Sequence, residues 1–205
     1  YGFDTLRLVY EGYYNPEMFA LEARDVVFDR SHNEFWDSLA FTGVFGLLAE
    51  YGFFLSVMYY ALKWIGFIAS PREQRIYWGL TFAGGIIGAL ILTLSLGAAF
   101  LVIGLPFGLL AGSMGILIYR IFRPIESALK PWQAMTIIGI LSAIISHYVE
   151  ILFGISVVET STLLWTLTGL MVVIGWIMPM VSEQAKAEEE AESFNRRAEL
   201  RYIGI

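Results

Sequence analysis

IYWGLTFAGGIIGALILTLSLGAAFLVIGLPFGLLAGSMGILIYR, residues 76–120, decides the fold class. No Asp, Glu, Lys or Arg interrupts it between Arg75 and Arg120. A helix crosses the hydrocarbon core in about 20 apolar residues, and this stretch has about 45. It is too long for one span and sufficient for two joined by a turn. Gly97, Gly104 and Pro106 are the punctuation that permits the turn. The two spans are expected over Ile76–Leu96 and Leu101–Ile121.

Working outward, three more stretches have the same character: Phe35–Lys63, Trp132–Phe153 and Thr160–Val181. The first carries a carboxylate, Glu50, about sixteen residues in, which predicts roughly mid-membrane depth. A lone carboxylate there needs a proton or a partner, and Tyr51, Tyr59 and Tyr60 are the nearest hydroxyls in sequence. The composition agrees with five spans. Hydrophobic residues make up 57% of the 205 and charged residues 16%, against about 45–50% and 25% in soluble domains. The expected fold is all-α, a polytopic transmembrane helix bundle with about five spanning helices. A disordered tail, a coiled coil and a disulfide-stapled domain are excluded. The chain has no cysteine, which removes thiolate zinc sites and a cysteine nucleophile. Its net charge of -6 argues against a nucleic-acid partner.

Lys and Arg set the expected orientation. Lys63, Arg72 and Arg75 follow the first span, and Arg120, Arg123 and Lys130 follow the third. The links near 97–104 and 154–160 hold neither residue type. The basic links are therefore expected to be cytoplasmic, with the N-terminal end outside and the C-terminal end inside. Residues 1–35 read as an outer loop segment, 36–181 as the helix bundle and 182–205 as a charged cytoplasmic helix. The chain opens on Tyr1 without a leader and reads as the C-terminal part of a longer protein. Aromatic residues of the outer segment, such as Tyr13 and Tyr14, and Trp36, Trp64, Trp78 and Trp132 near the span ends, suit a membrane interface. Gly84-x-x-x-Gly88, Gly108-x-x-x-Gly112 and Ala111-x-x-x-Gly115 give two spans small faces, expected to pack within the chain.

One run carries candidate chemistry: Asp29-Arg30-Ser31-His32-Asn33-Glu34, at the outer mouth of the first span. Two readings share it. In the first, Ser31-x-x-Glu34 is a capping box and the run simply starts a helix. In the second, His32 occupies the first helical position, where the helix dipole keeps its ring neutral and able to accept a proton. Arg30 beside it offers the paired N–H groups that suit a phosphate. An arginine and a neutral histidine at a membrane surface fit a lipid-linked diphosphate donor, with the arginine offsetting the leaving group's charge. The residues form no metal-ligand motif, and neither a metal nor another cofactor is expected.

Arg30-Ser31-His32-Asn33-Glu34-Phe35, followed by Thr42-Gly43-Val44-Phe45-Gly46-Leu47-Leu48, resembles the signature of the O-antigen ligase and polymerase family. The match covers residues 29–48. The resemblance implies a polytopic bacterial glycosyltransferase of the cytoplasmic (inner) membrane. It would transfer a glycan from a polyprenyl-diphosphate-linked donor to a glycan or lipid acceptor at the outer face. It further implies His32 as the base or acceptor-orienting group, with Asn33 as its orienter, and arginines of the loop, Arg30 and Arg24, as diphosphate ligands. Members of that family have about ten spans or more, with further basic residues in earlier loops, so this chain would be a fragment of one, inactive in isolation. The alternative is a non-catalytic subunit or scaffold in contact with membrane lipids and other membrane chains.

His147 and Glu150 are secondary candidates. Three residues apart, they share one helical face near the outer end of the fourth span. They are expected either to pair with each other or to join the cavity of His32. Glu159, just beyond, is expected to be solvated.

Overall fold

A computed structural model describes residues 8–9, 11–20, 30–125 and 127–202, excepting the side chains of 11, 18, 19 and 195–202. Every regular element among them is helical. After two short 3-10 turns, Glu11–Tyr13 and Pro16–Ala20, come α1 (Glu34–Ile65), α2 (Pro71–Leu96), α3 (Leu101–Arg120), α4 (Pro131–Ile151) and α5 (Val158–Val172). A π-helical turn, Val173–Ile177, joins α5 to α6 (Met178–Tyr202) without a break. Five helices are long and apolar enough to cross a membrane, the last running from α5 into α6. The chain is a multi-pass membrane protein of the all-α class.

The 76–120 stretch folds as two antiparallel helices pressed backbone to backbone. A Cβ added at Gly84 would lie 2.4 Å from the Gly108 carbonyl oxygen, and one at Gly88 2.3 Å from that of Gly104. One at Gly112 would lie 2.2 Å from the Leu80 oxygen. Only glycine allows so close an approach, and small residues replace hydrophobic driving force where the solvent is itself apolar. Within this seam the Thr81 and Ser113 hydroxyls meet at 3.1 Å, fully buried. The small faces thus pack inside the chain. The turn, however, is confined to Gly97–Phe100. Gly97 ends α2 at φ 108°, a conformation favouring glycine, and Ala98–Phe100 form a 3-10 turn. Gly104 and Pro106 belong to α3 and to packing, not to the turn.

At the opposite end of this pair, polar groups lock three segments. Ser70 caps α2 by accepting from the Glu73 amide at 3.3 Å, and the Glu73 carboxylate accepts from the Ser70 amide at 3.0 Å. This is a true capping box, with Pro71 at the first helical position. Glu73 also pairs with Arg120, both nearly inaccessible to solvent. Arg120 donates further to the carbonyls of Gly66, 3.3 Å, and Pro124, 2.8 Å. One guanidinium therefore ties the end of α1, the start of α2 and the end of α3.

The π turn answers a packing demand. Gly175 lies against the face of Trp64 on α1, where a Cβ would come within 2.3 Å of the ring. The Gln133 side-chain amide of α4 donates to the Ile174 carbonyl at 3.5 Å. A π turn displaces one backbone step and leaves such a carbonyl without its usual partner.

Helix α1 departs most from the sequence expectation. Gly43 sits at φ 72°, ψ -170°, a non-helical conformation inside it and essentially restricted to glycine. The chain doubles back there. Phe35 and Tyr51 rings meet edge to face at 5.9 Å, although sixteen residues of straight helix would separate them by about 24 Å. The Ser38 hydroxyl likewise reaches the Glu50 carboxylate. Gly46 is required by the same fold-back, since a Cβ there would overlap the Thr42 hydroxyl at 1.8 Å. Residues 34–42 are thus an arm folded against the top of α1, and residues 44–65 form the crossing rod, about 33 Å long. Glu50 is consequently corrected from mid-membrane to the second turn of the rod, near its mouth. Its hydrogen-bond partner is Ser38 of the arm, and the expected Tyr51 is close enough to feel its charge.

Candidate functional site

The arm, the upper part of α1, the end of α4 and the start of α5 enclose a cavity of about 690 Å³ at one end of the bundle. Its polar lining includes Arg30, Glu34, Asp37, Glu50 and His147, with hydroxyls from Ser156, Ser161 and Thr162. Apolar side chains, Phe53, Phe54 and Trp165 among them, complete its wall. Two hydrogen-bonded knots hold the arm in place. Ser31 donates to the Asp37 carboxylate through both its amide, 2.8 Å, and its hydroxyl, 2.7 Å. Asn33 accepts from the Trp36 amide at 3.1 Å and donates to the Leu152 carbonyl at 2.8 Å.

These knots revise the reading of the Arg30–Glu34 run. The Ser31/Glu34 capping box does not form. Asn33 is the cap, and helix α1 begins at Glu34. Asn caps a helix as well as Ser does, and Asp37 has already engaged the Ser31 hydroxyl. His32 is therefore not at the first helical position. It lies two residues before the helix, exposed, at φ 56°, and it does not line the cavity. A non-glycine residue at positive φ is uncommon and signals a constrained turn. Asn33, expected to orient His32, is buried, with both ends of its amide engaged in the fold.

Arg30 does line the cavity. Among the described residues its guanidinium has one hydrogen bond, at 3.5 Å to the Ser156 carbonyl, and its charge acts on the Glu34 carboxylate. Arg24 lies outside the described residues. His147 and Glu150 pair, Nδ1 to Oε2 at 3.4 Å. The His147 side chain is 11% exposed and that of Glu150 60%. His147 also faces the cavity, whereas Glu150 is turned to a second space of about 500 Å³ between α4 and α5. His147 thus pairs with Glu150 as expected, and the cavity it joins is that of Arg30, not of His32. Glu159 is exposed.

Sequence reasoning missed the part played by Glu34, Asp37 and the start of α5. The signal was present in Glu159-Thr160-Ser161-Thr162, four polar residues opening an otherwise apolar span. The Ser156 and Ser161 hydroxyls meet at 2.8 Å and form the polar side of that wall. Among the described residues, carboxylates outnumber cations in the cavity. Among the described residues no three His, Asp or Glu side chains gather as a metal site. Among the described residues the arrangement offers one guanidinium for an anion, and carboxylates and hydroxyls that suit a polyhydroxylated molecule. No family model, curated protein or solved structure matches the chain.

Proposed function

We propose that the chain is part of a multi-pass glycosyltransferase of the O-antigen ligase type. It would act at the outer face of the cytoplasmic membrane on a polyisoprenoid-diphosphate-linked glycan. The observation that carries the reading is Arg30: the arginine of the resembling motif lines the cavity, with one hydrogen bond among the described residues. In the reaction an acceptor hydroxyl attacks the anomeric carbon of the glycan. The bond from that carbon to the diphosphate breaks, the diphosphate leaves with the electron pair, and the hydroxyl proton passes to a base. Arg30 holds the diphosphate through paired, charge-assisted bonds. Arg24 supplies a second cation. His32, exposed beside Arg30, meets the acceptor from the solvent side and takes its proton.

The orientation belongs to the same proposal. Lys63, Arg72 and Arg75 on either side of the 66–70 link, with Arg120, Arg123 and Lys130 about the next basic link, support a cytoplasmic position for both, which would turn the cavity outward.

The test is transfer by the full-length protein in liposomes, with a polyisoprenoid-diphosphate glycan as donor. Released polyisoprenoid diphosphate and glycosylated acceptor are both measured. Removing a positioned base costs about 10²–10⁴-fold in rate, so His32→Ala is expected to lose transfer to that extent. Arg30→Ala is expected to weaken donor use, with Arg30→Lys recovering only part. Undiminished product from His32→Ala would overturn the assignment.

A further inference from the structure

Of the chain's two histidines, His147 is the one that lines the cavity. The transfer step above makes no use of it. Its Nδ1 lies 3.4 Å from Oε2 of Glu150, three residues on along α4. A carboxylate only accepts, so Nδ1 carries the proton of this bond. The bond made by one ring nitrogen sets the state of the other, and Nε2 of the neutral ring is left as an acceptor. Glu150 borders the second space and not the cavity. It draws Nδ1 that way and turns the opposite edge of the ring to the cavity, within electrostatic reach of Glu34. Among the described residues Nε2 has no hydrogen bond, and it is not sealed from open space. The lining threonines are committed in the same sense. Thr162 donates to the Val158 carbonyl at 2.7 Å and Thr42 to the Ser38 carbonyl at 2.7 Å, which leaves both hydroxyl oxygens as acceptors.

We propose that the cavity selects a sugar ring that carries hydroxyl or amino donors and no acidic group. His147 accepts from a ring hydroxyl through Nε2, and Glu150 is the positioning residue that holds the imidazole in that state. The inference rests on the function proposed above and deepens it by naming the chemical class of the sugar. A hydroxyl can donate to each acceptor it meets. A sugar carboxylate offers lone pairs alone, and would set them against those of His147, Thr42 and Thr162. Polar groups on both sides would then be stripped of water and left unpaired, which is costly. A site built to hydrogen-bond a substrate hydroxyl rejects a mismatched partner strongly for the same reason. Phe53 and Trp165, with ring centroids 4.8 Å apart on the cavity wall, supply an apolar surface for the C–H face of the ring.

The test uses the full-length protein in nanodiscs and diethyl pyrocarbonate, which acylates an accessible imidazole nitrogen. Modification of His147 is followed by peptide mass spectrometry. Polyisoprenyl diphosphate is added without a sugar, with glucose or with glucuronic acid, the two sugars differing at C6 alone. Methyl glucoside is the free-sugar arm. At about four times its Kd the glucosyl donor is expected to slow modification about fivefold, by mass action, and the bare diphosphate and the glucuronyl donor are expected to leave it unchanged. Protection by methyl glucoside in place of the glucosyl donor supports the site and assigns its ring to the acceptor. Equal protection by the glucuronyl donor, protection by the bare diphosphate, no protection by any sugar, or failure of the reagent to reach His147 in the ligand-free protein would each overturn the proposal. In the transfer assay His147→Ala is expected to raise KM for the protecting substrate about three- to tenfold, the loss of one hydrogen bond. Glu150→Ala is expected to cost less, and the double variant no more than His147→Ala, since Glu150 acts through the histidine. Additive losses would overturn its positioning role. Should His32→Ala prove as active as the parent protein while the glucosyl donor still protects His147, the catalytic assignment fails and the sugar site stands.

Discussion

Replacing Gly43 by Ala tests the folded-back arm directly. At φ 72° and ψ -170° an L-residue costs about 1–3 kcal/mol. The strain disappears if residue 43 turns helical, but the arm then continues in line with the rod and Phe35 moves some 24 Å from Tyr51. Opposing that are the contacts that dock the arm. Phe35 is 7% exposed, and burying such a ring is worth about 1.5–3 kcal/mol. The Asn33–Leu152 bond adds about 1 kcal/mol, whereas the Asn33 cap lies within the arm and is kept when it opens. Docking at about 2.5–4 kcal/mol exceeds the strain, so the arm of Gly43→Ala stays folded most of the time and opens about 5- to 150-fold more often, at 1.36 kcal/mol per decade. Hydrogen–deuterium exchange of peptides covering 34–42, with the protein in nanodiscs, reads that opening. Gly52→Ala is the control. It lies in the rod, with nothing within 4 Å of an added Cβ, and is expected to leave arm exchange unchanged and stabilise the helix by about 0.5–1 kcal/mol. Equal exchange in the arm for Gly43→Ala and the parent protein would refute the fold-back.

Three further outcomes follow from the packing. Gly108→Ala drives a methyl into the Gly84 carbonyl, 2.2 Å from its Cβ, and is expected to destabilise the α2–α3 pair by about 1–3 kcal/mol. Gly139→Ala, in open space, serves as its neutral counterpart in a thermal scan in detergent. Asn33→Asp keeps the cap and loses the donor to Leu152, so it is expected to cost less than Asn33→Ala by about 1 kcal/mol, read as arm exchange. Arg120→Ala leaves Glu73 without its cation and is expected to cost about 3 kcal/mol. The double variant Glu73→Gln/Arg120→Met recovers most of that in the same thermal scan; no recovery would mean the guanidinium acts through its two carbonyl bonds alone.

The five spans were legible because bilayer thickness fixes the length of an apolar helix, and only long runs poor in charge meet it. The glycine seam was legible from the four-residue spacing of Gly84 and Gly88 on α2 and of Gly108 and Gly112 on α3, whereas Gly104 was read as part of the turn. The arm was not. Thr42-Gly43 sits amid apolar residues, and hydropathy sees no difference between a straight helix and one reversed at a glycine. Since depth was counted along a straight helix, Glu50 was placed mid-membrane, where the reversal brings it to the mouth. The site was half legible for a related reason. Arg30 and His147 were identified by chemical type, and the structure brings them to one cavity. The roles given to Ser31, His32 and Asn33 depended on which of them caps the helix. Three adjacent residues with capping-competent or polar side chains leave that undecided until Asp37, six positions on, takes up the Ser31 hydroxyl.

The seam between α2 and α3 also divides the positions that sequence drift can reach from those it cannot. Gly84, Gly88, Gly104, Gly108 and Gly112 meet backbone atoms where a side chain would begin, so a single methyl is refused at each. On the outer side of α2, Ile86, Ile87, Leu90, Ile91 and Leu94 are 54–81% exposed and touch little of the protein. Any residue that lipid accepts can stand there. Homologues that have diverged far enough to lose all recognisable identity in these two helices should still align by their glycines, with the greasy letters between them exchanged freely.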